Sequence, residues 1–154
     1  MVIRKATEKD IDLLIKLRLD FLKDYRGDIA QNGIEAVRLQ MRRYCEKHIL
    51  DGSFMAIIAE IDDEAVSTAY LVVWEMPADE RFVTGKAGRI MNVYTRPKYR
   101  SKGIAKKVMS FLIDEARRSG VSFIDLAATP PTKGLYKKLG FKQPQEPTMR
   151  LKLI

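Results

Sequence analysis

The spacing of apolar residues along the 154-residue chain first predicts helices. A short apolar stretch over residues 2–6 predicts a strand, and two segments with helical spacing follow it. The first segment begins at Ile11 and runs for about fifteen residues, and the second covers residues 34–49. Gly27 and Gly33 lie between the two segments and predict a break there. The amino-terminal third therefore reads as one strand followed by two amphipathic helices.

The spacing then becomes typical of strands. Residues 54–59 form a continuous apolar run, and residues 65–74 are rich in β-branched and aromatic side chains. The turn sequence Asp62-Asp63 separates these runs, so we predict a β-hairpin. A polar stretch over 77–86 predicts a loop, and residues 90–95 predict the next strand.

Helices and strands alternate in the last third of the chain. The predicted elements are a helix from Ile104 to Gly120, a strand over 123–126, a short helix over 132–139 and a final half-buried strand carrying Met149, Leu151 and Leu153. The strand–helix–strand unit between residues 90 and 126 requires parallel neighbours, whereas a hairpin is antiparallel. With no repeat or linker in the sequence, we expect one α/β domain (α+β mixed) over residues 1–154, built on a mixed sheet.

Composition narrows the classes of partner. A formal charge of +8 favours an anionic partner, which could be a nucleic acid, an acidic surface or a phosphorylated small molecule. The single cysteine, Cys45, excludes an intramolecular disulfide, and the single histidine, His48, argues against a zinc site. Both lie on the apolar stripe of the second helix, where we interpret them as structural. No apolar run approaches the length of about 20 residues that crosses a bilayer, so we expect a cytoplasmic protein without metal or membrane contacts.

A candidate anion site lies at the segment Arg100-Ser101-Lys102-Gly103-Ile104-Ala105. It connects a strand that ends at about Thr95 to the start of the next helix. Backbone N–H groups at a helix start lack intrahelical acceptors, and the helix dipole favours an anion in front of them. Glycine at position 103 lets the backbone bend and a ligand approach closely. We therefore predict a phosphate-binding loop, although the segment matches neither a Walker A motif nor a dinucleotide fingerprint.

Two motifs stand in register with this loop. Its R-x-x-G-x-A pattern is followed about thirty residues later by Leu135-Tyr136-Lys137-Lys138-Leu139-Gly140-Phe141. Together with the opening Ile3-Arg4-Lys5-Ala6-Thr7, they resemble the GNAT superfamily of acyl-CoA-dependent N-acyltransferases over essentially the whole chain. The resemblance implies the GNAT fold, a mixed and mostly antiparallel central sheet that is splayed between its fourth and fifth strands and flanked by helices.

The resemblance also implies acetyl-CoA as co-substrate, with its pyrophosphate on the amides of residues 101–105. The residues expected at this co-substrate are Val93, Tyr94, Thr95, Arg100, Ser101, Lys102, Gly103, Ile104, Ala105, Thr129 and Tyr136. The N–H near Val93 is expected to face the thioester carbonyl, and Tyr136 to protonate the departing thiolate. A phenol suits that role because its ordinary pKa, near 10, keeps it protonated at neutral pH.

The acceptor side is less defined. Glu75 is the candidate general base, and Glu75 and Asn92 are expected beside the acceptor. We expect direct transfer to a primary amine, which could be a small amine, an amino acid, an antibiotic or a protein amine. The expected state is a monomer or homodimer with no nucleic-acid partner. Two alternatives remain open: a non-catalytic acyl-CoA sensor, and a basic nucleic-acid-binding domain.

Overall fold

The computed structural model describes residues 1–154 and contains five strands and four α-helices. The elements are β1 (Val2–Lys5), α1 (Ile11–Arg26), α2 (Gln31–His48), β2 (Phe54–Ile61), β3 (Glu64–Glu75), β4 (Lys86–Thr95), α3 (Ile104–Arg118), β5 (Phe123–Leu126) and α4 (Lys133–Lys138). Short 3-10 turns precede α1, α3 and α4. None of the helices combines the length and the apolar character needed to cross a membrane.

One sheet with strand order β1-β2-β3-β4-β5 organises the molecule. Three strand pairs are antiparallel, and β4 and β5 are parallel. Helix α3 makes the crossover between these two parallel strands, as a parallel pair requires. The predicted mixed sheet is confirmed.

Each face of the sheet carries its own apolar core. Ala56 and Ile58 of β2 pack in the core under α1 and α2, whereas Ile57 between them packs in the core under α3. This alternation is the period of two that a strand imposes on its side chains. Tyr70 of β3 belongs to the first core, and its hydroxyl donates a hydrogen bond to the carbonyl of Leu14 at 2.6 Å. Helix α1 is thereby fixed over the middle of the sheet.

An ion-pair network fixes the entry to α1. The Arg4 guanidinium lies between two carboxylates, 2.8 Å from Asp10 Oδ1 and 2.7 Å from Glu60 Oε1. The Thr7 N–H also donates to Asp10, at 2.8 Å. The hydrogen bond from Arg4 holds the pKa of Asp10 below its usual range.

Two predicted boundaries within the chain are wrong. Helix α2 begins at Gln31, so Gly33 lies in its first turn and does not end the preceding helix. The Gly33 N–H donates to Asn32 Oδ1, which satisfies a donor that the first turn leaves free. Strand β4 begins at Lys86, four residues before the predicted start, because residues 86–89 pair with the end of β3.

The predicted carboxy-terminal strand is also wrong. Met149, Leu151 and Leu153 are 93%, 82% and 84% exposed, and residues 142–154 form no backbone hydrogen bonds. Alternating apolar residues favour a strand only when a neighbouring edge supplies hydrogen bonds. The outer edge of β5 is free, but this segment lies across a cavity from β5 and forms no backbone hydrogen bonds with it.

Candidate active site

A β-bulge deforms β4 in the middle of the sheet. The pairing of β3 with β4 slips by one residue between Thr68 and Tyr70. Ala69 of β3 therefore faces two residues of β4, Asn92 and Val93. Asn92 has a φ of +54°, a left-handed conformation that asparagine adopts more readily than most residues. Such a bulge bends its strand and redirects the side chains around it.

Beyond the bulge, β4 and β5 separate. Strand β5 pairs only with Ala87–Ile90, whereas β4 continues to Thr95 with no partner on that side. The opposite edge of β4 stays attached to β3, where the Ser67 hydroxyl donates to the Tyr94 carbonyl at 2.8 Å. The result is a wedge-shaped opening between two parallel strands, and it is the separation predicted between the fourth and fifth strands.

The loop after β4 presents a row of free backbone donors. Ser101 and Gly103 both have left-handed φ values, +61° and +74°, and α3 starts at Ile104. The N–H groups of residues 101–106 donate hydrogen bonds to no acceptor in the protein. A Cβ placed on Gly103 would meet no atom within 4 Å, so the space in front of these donors is open. Consecutive N–H groups at a helix start form an anion-binding concavity.

Basic side chains surround this loop unequally. Lys102, Lys106 and Lys107 are exposed. Arg100 instead turns back toward the sheet, where its Nε–H donates to the Thr95 carbonyl at 2.8 Å and its guanidinium pairs with Asp24 of α1 at 2.6 Å. Its charge is therefore neutralised locally, and the side chain connects the loop to β4 and α1.

Tyr136 is buried on the short helix that follows β5. It is 6% exposed on α4 and packs edge-on against Phe141, with ring centroids 5.9 Å apart. Burial raises the pKa of the Tyr136 phenol, which keeps it protonated at neutral pH. Its side chain lines a cavity of about 470 Å³ that lies between β5, α4 and the segment after α4, with Leu126, Ala128 and Pro144 among the other lining residues. No residue of β4 beyond Arg89 lines this cavity, so the approach of Tyr136 to the opening between β4 and β5 stays a prediction.

Thr129 shapes the turn that carries Tyr136. Its carbonyl accepts hydrogen bonds from the Thr132 N–H at 2.9 Å and from the Thr132 hydroxyl at 3.0 Å. The two hydroxyl oxygens also lie 3.0 Å apart. The position of Thr129 therefore has a structural explanation, and its contact with a co-substrate stays a prediction.

Glu75 lies apart from the other candidate residues. It ends β3 opposite Lys86, six residues from Ala69 at the bulge. At a rise of about 3.3 Å per residue, the separation is about 20 Å along the strand. A direct contact between this carboxylate and a group bound at the bulge is therefore excluded.

Asn92, in contrast, lies at the bulge and has a partner that sequence reasoning missed. Its Oδ1 accepts a hydrogen bond from a terminal nitrogen of Arg18 at 3.1 Å. Arg18 also lies over the Phe21 ring, 5.6 Å from its centroid. Arg18 and Asn92 are 74 positions apart, and no local pattern connects them.

The two structural interpretations on α2 are confirmed. Cys45 is fully buried, and burial raises the pKa of its thiol to about 11, which suppresses the reactive thiolate. His48 Nδ1 lies 2.6 Å from the Ser53 hydroxyl, and the ring packs on Tyr44. No three histidine, cysteine, aspartate or glutamate side chains gather into a metal-binding group.

A sheet that opens beside a row of free amides is the arrangement expected of an acyltransferase that uses a coenzyme A thioester. The model of the acetyltransferase (GNAT) family matches residues 18–141 of the chain. That match spans well over half of the sequence, so the chain belongs to the GNAT family of acetyltransferases.

Solved structures with the same architecture support this membership. A predicted acetyltransferase from Clostridium acetobutylicum, solved with acetyl-CoA, superposes with a TM-score of 0.85 at 30% identity, covering 98% of this chain and 95% of that one. A GCN5-related N-acetyltransferase from Ralstonia eutropha gives 0.80 at 22% identity, with 97% of each chain covered. Glucosamine-6-phosphate N-acetyltransferase from Arabidopsis thaliana gives 0.69 at 21% identity, again with 97% of each chain covered. A search of curated protein sequences finds no match.

Proposed function

We propose that this acyltransferase transfers an acetyl group from acetyl-CoA to the nitrogen of a primary amine by direct attack, with both substrates bound together. One observation carries the proposal. Six consecutive backbone N–H groups, at residues 101–106, have no acceptor in the protein, and they adjoin the wedge between β4 and β5. A molecule that combines a diphosphate with an extended arm fits both features.

The donor half of the site follows from these two features. The amides of residues 101–106 would hold the diphosphate, and the exposed Lys102, Lys106 and Lys107 would add attraction of about 1 kcal/mol or less each. The unpaired edge of β4 from Met91 to Thr95 would hold the extended arm. The arm would then end near the bulge and Tyr136, where the reaction takes place.

The chain supplies two groups to the reaction itself. The amine nitrogen forms a bond to the thioester carbonyl carbon, the carbon–sulfur bond breaks, and the thiolate takes a proton. The Val93 N–H would donate to the carbonyl oxygen as it gains charge, a contribution of about 3 kcal/mol for one such donor in other enzymes. The Tyr136 hydroxyl would protonate the thiolate, worth about 10²- to 10⁴-fold in rate for general acids.

The proton that leaves the amine needs a different route. Glu75 lies about 20 Å along β3 from the bulge and cannot accept that proton directly. We therefore propose that water molecules carry it from the opening to bulk solvent. Holding both substrates in line supplies much of the remaining acceleration.

A panel of primary amines tests the proposal, with acetyl-CoA as donor and release of free thiol as the signal. We expect thiol release with at least one amine. Binding of CoA without thiol release from any amine would favour a sensor. Absence of CoA binding, together with affinity for DNA or RNA that falls steeply with salt, would favour a nucleic-acid-binding domain.

A further inference from the structure

Arg18 is a half-buried cation without a counter-charge. It lies on α1 against the sheet and forms no ion pair with any carboxylate of the chain. Its single hydrogen bond goes to Asn92 Oδ1, so four of its five N–H donors have no protein acceptor. Burial is the main cause that lowers the pKa of Arg18, while Tyr70 acts in the opposite direction and Arg26 adds a smaller decrease. Removing a charge from water without pairing it costs free energy.

Three of the four other half-buried arginines in this molecule are paired with carboxylates, and Arg89 of β4 is the exception. Arg4 contacts both Asp10 and Glu60, and Arg96 pairs with Glu64. Most partly buried guanidinium groups of the chain therefore have a carboxylate partner, although Arg96 Nε has no hydrogen-bond acceptor. Arg18 differs from them because it faces the bulge of β4 and not a structural carboxylate.

Asn92 adds a second unsatisfied donor at the same place. The residue is 3% exposed, and its Nδ2 has no hydrogen-bond partner. Nδ2 shares a planar amide with the Oδ1 that accepts from Arg18, so this donor lies next to the guanidinium. If Oδ1 and Nδ2 of Asn92 exchanged places, Nδ2 would face the guanidinium N–H groups and the hydrogen bond to Arg18 would be lost. A cation and a buried amide thus present unpaired N–H groups side by side.

We propose that Arg18 and Asn92 bind an oxyanionic group on the acceptor, which makes the acceptor a small amine that also carries a carboxylate or a phosphate. This assignment rests on the proposed acetyl transfer. An oxyanion would accept from Arg18 and from Asn92 Nδ2, after a small adjustment of the buried amide. It would supply the counter-charge that the protein omits, through charge-assisted hydrogen bonds.

The bulge also limits how far the anion lies from the reacting nitrogen. Asn92 is followed directly by Val93, the proposed donor to the thioester carbonyl. Adjacent Cα atoms are about 3.8 Å apart, so the anion site and the acyl carbon are near neighbours. A compact molecule whose amine and anion are separated by a few bonds can place its anion at Arg18 and Asn92 and its amine at the acyl carbon. A lysine side chain of a protein lacks an anion held a few bonds from its amine.

Matched acceptor pairs test this assignment. Each pair shares the amine and differs in the anion: free amino acids against their carboxamides, and aminoethyl phosphate against ethanolamine. We expect kcat/KM to be about 10- to 100-fold higher for the anionic member of at least one pair, the range that charge-assisted hydrogen bonds supply. The two kinds of pair distinguish carboxylate from phosphate.

Variants of Arg18 separate recognition from a structural role. Arg18→Gln should remove the preference by raising KM for the anionic member, with KM for acetyl-CoA unchanged, and Arg18→Lys should restore part of it. Arg26→Gln removes an equal charge from the exposed end of α1 and should leave the preference intact. An equal loss of kcat/KM for both members in Arg18→Gln would show that Arg18 only supports the bulge, and would overturn the proposal.

Binding measurements keep this inference separate from the proposed function. Calorimetry with the CoA-loaded protein measures affinity for the same compounds without turnover. Arg18-dependent binding of an anionic member without thiol release would refute acetyl transfer and support the anion site. Thiol release with no preference for the anionic member in any pair would support acetyl transfer and refute the anion site. A protein that neither binds nor acetylates the anionic members preferentially overturns the anion site.

Discussion

Replacing Gly103 by asparagine and by aspartate isolates the electrostatics of the amide row. Both residues add a side chain of nearly the same shape at a φ of +74°, a conformation that each tolerates better than most residues do. A Cβ at position 103 would meet no atom within 4 Å, so neither side chain clashes and the two variants carry a similar backbone strain. The two variants then differ by one negative charge placed where the diphosphate is expected.

The size of that difference follows from Coulomb's law. Two unit charges about 5 Å apart repel by about 0.8 kcal/mol at the dielectric of water and by about 3.3 kcal/mol at an effective dielectric of 20. We therefore expect Gly103→Asp to bind CoA about 4- to 250-fold more weakly than Gly103→Asn, and the gap should narrow at high salt. Because Gly103 is exposed, values toward the lower end are expected at physiological ionic strength.

Isothermal titration calorimetry with CoA gives both affinities, and thermal unfolding of each variant reports the fold. The Asn variant is the control for added volume and for backbone strain. Equal CoA affinity of the two variants, with both folded, would show that no anion binds in front of residue 103. The placement of the diphosphate would then be wrong.

Three further perturbations test other parts of the structure. Tyr136→Phe should lower kcat for a confirmed acceptor by about 100-fold or more with little change in KM for acetyl-CoA, and an unchanged thiol-release rate would exclude Tyr136 as the general acid. Arg100→Gln should lower the free energy of unfolding by about 1 kcal/mol, because it breaks the contacts with Asp24 and Thr95. It should weaken CoA binding no more than Lys102→Gln does. A larger loss of CoA affinity would mean that Arg100 turns toward the diphosphate. Asp10→Asn should destabilise the protein by about 1–3 kcal/mol at neutral pH, because Arg4 lowers the pKa of the folded-state carboxyl below 3.8 and favours its ionised form. The stabilisation by the Asp10 carboxylate is complete above the pKa of about 3.9 in the unfolded chain and is lost as the pH falls through the lower pKa of the folded protein. The free energies of unfolding of the two proteins, measured by denaturant titration, should therefore become equal in acid. A difference that does not change with pH would show that the charge is irrelevant.

The row of free amides before α3 could be predicted because its signal, a glycine at a helix start, depends on a few neighbouring residues. The role of Tyr136 comes from the resemblance to a family motif and stays a prediction. The separation of β4 and β5 came from the resemblance to a family, since no pattern within residues 90–95 indicates where pairing stops. The bulge at Asn92 and Val93 is likewise a property of the register between two strands, which one strand's sequence does not contain.

What sequence reasoning missed depends on contacts between distant positions. The bond between Arg18 and Asn92 requires α1 to lie across β4, and an arginine between two leucines gives no sign of that partner. The same is true of Arg100. Its place in the loop motif indicates anion binding, whereas in the folded protein its guanidinium pairs with Asp24 of α1. The prediction of a carboxy-terminal strand failed for the opposite reason, because a local pattern was present but the segment does not pair with the free edge of β5.

The uneven pairing of β4 also divides the strand mechanically. From Ala87 to Ile90 it is hydrogen-bonded on both edges, so exposing its amides to solvent requires disrupting the sheet. From Met91 to Thr95 only β3 holds it, and the bulge has already interrupted that ladder once. Local opening should therefore cost much less free energy in the second half than in the first. One strand thus combines a stiff anchor with a compliant segment, and the compliant segment is the one that would touch the substrates.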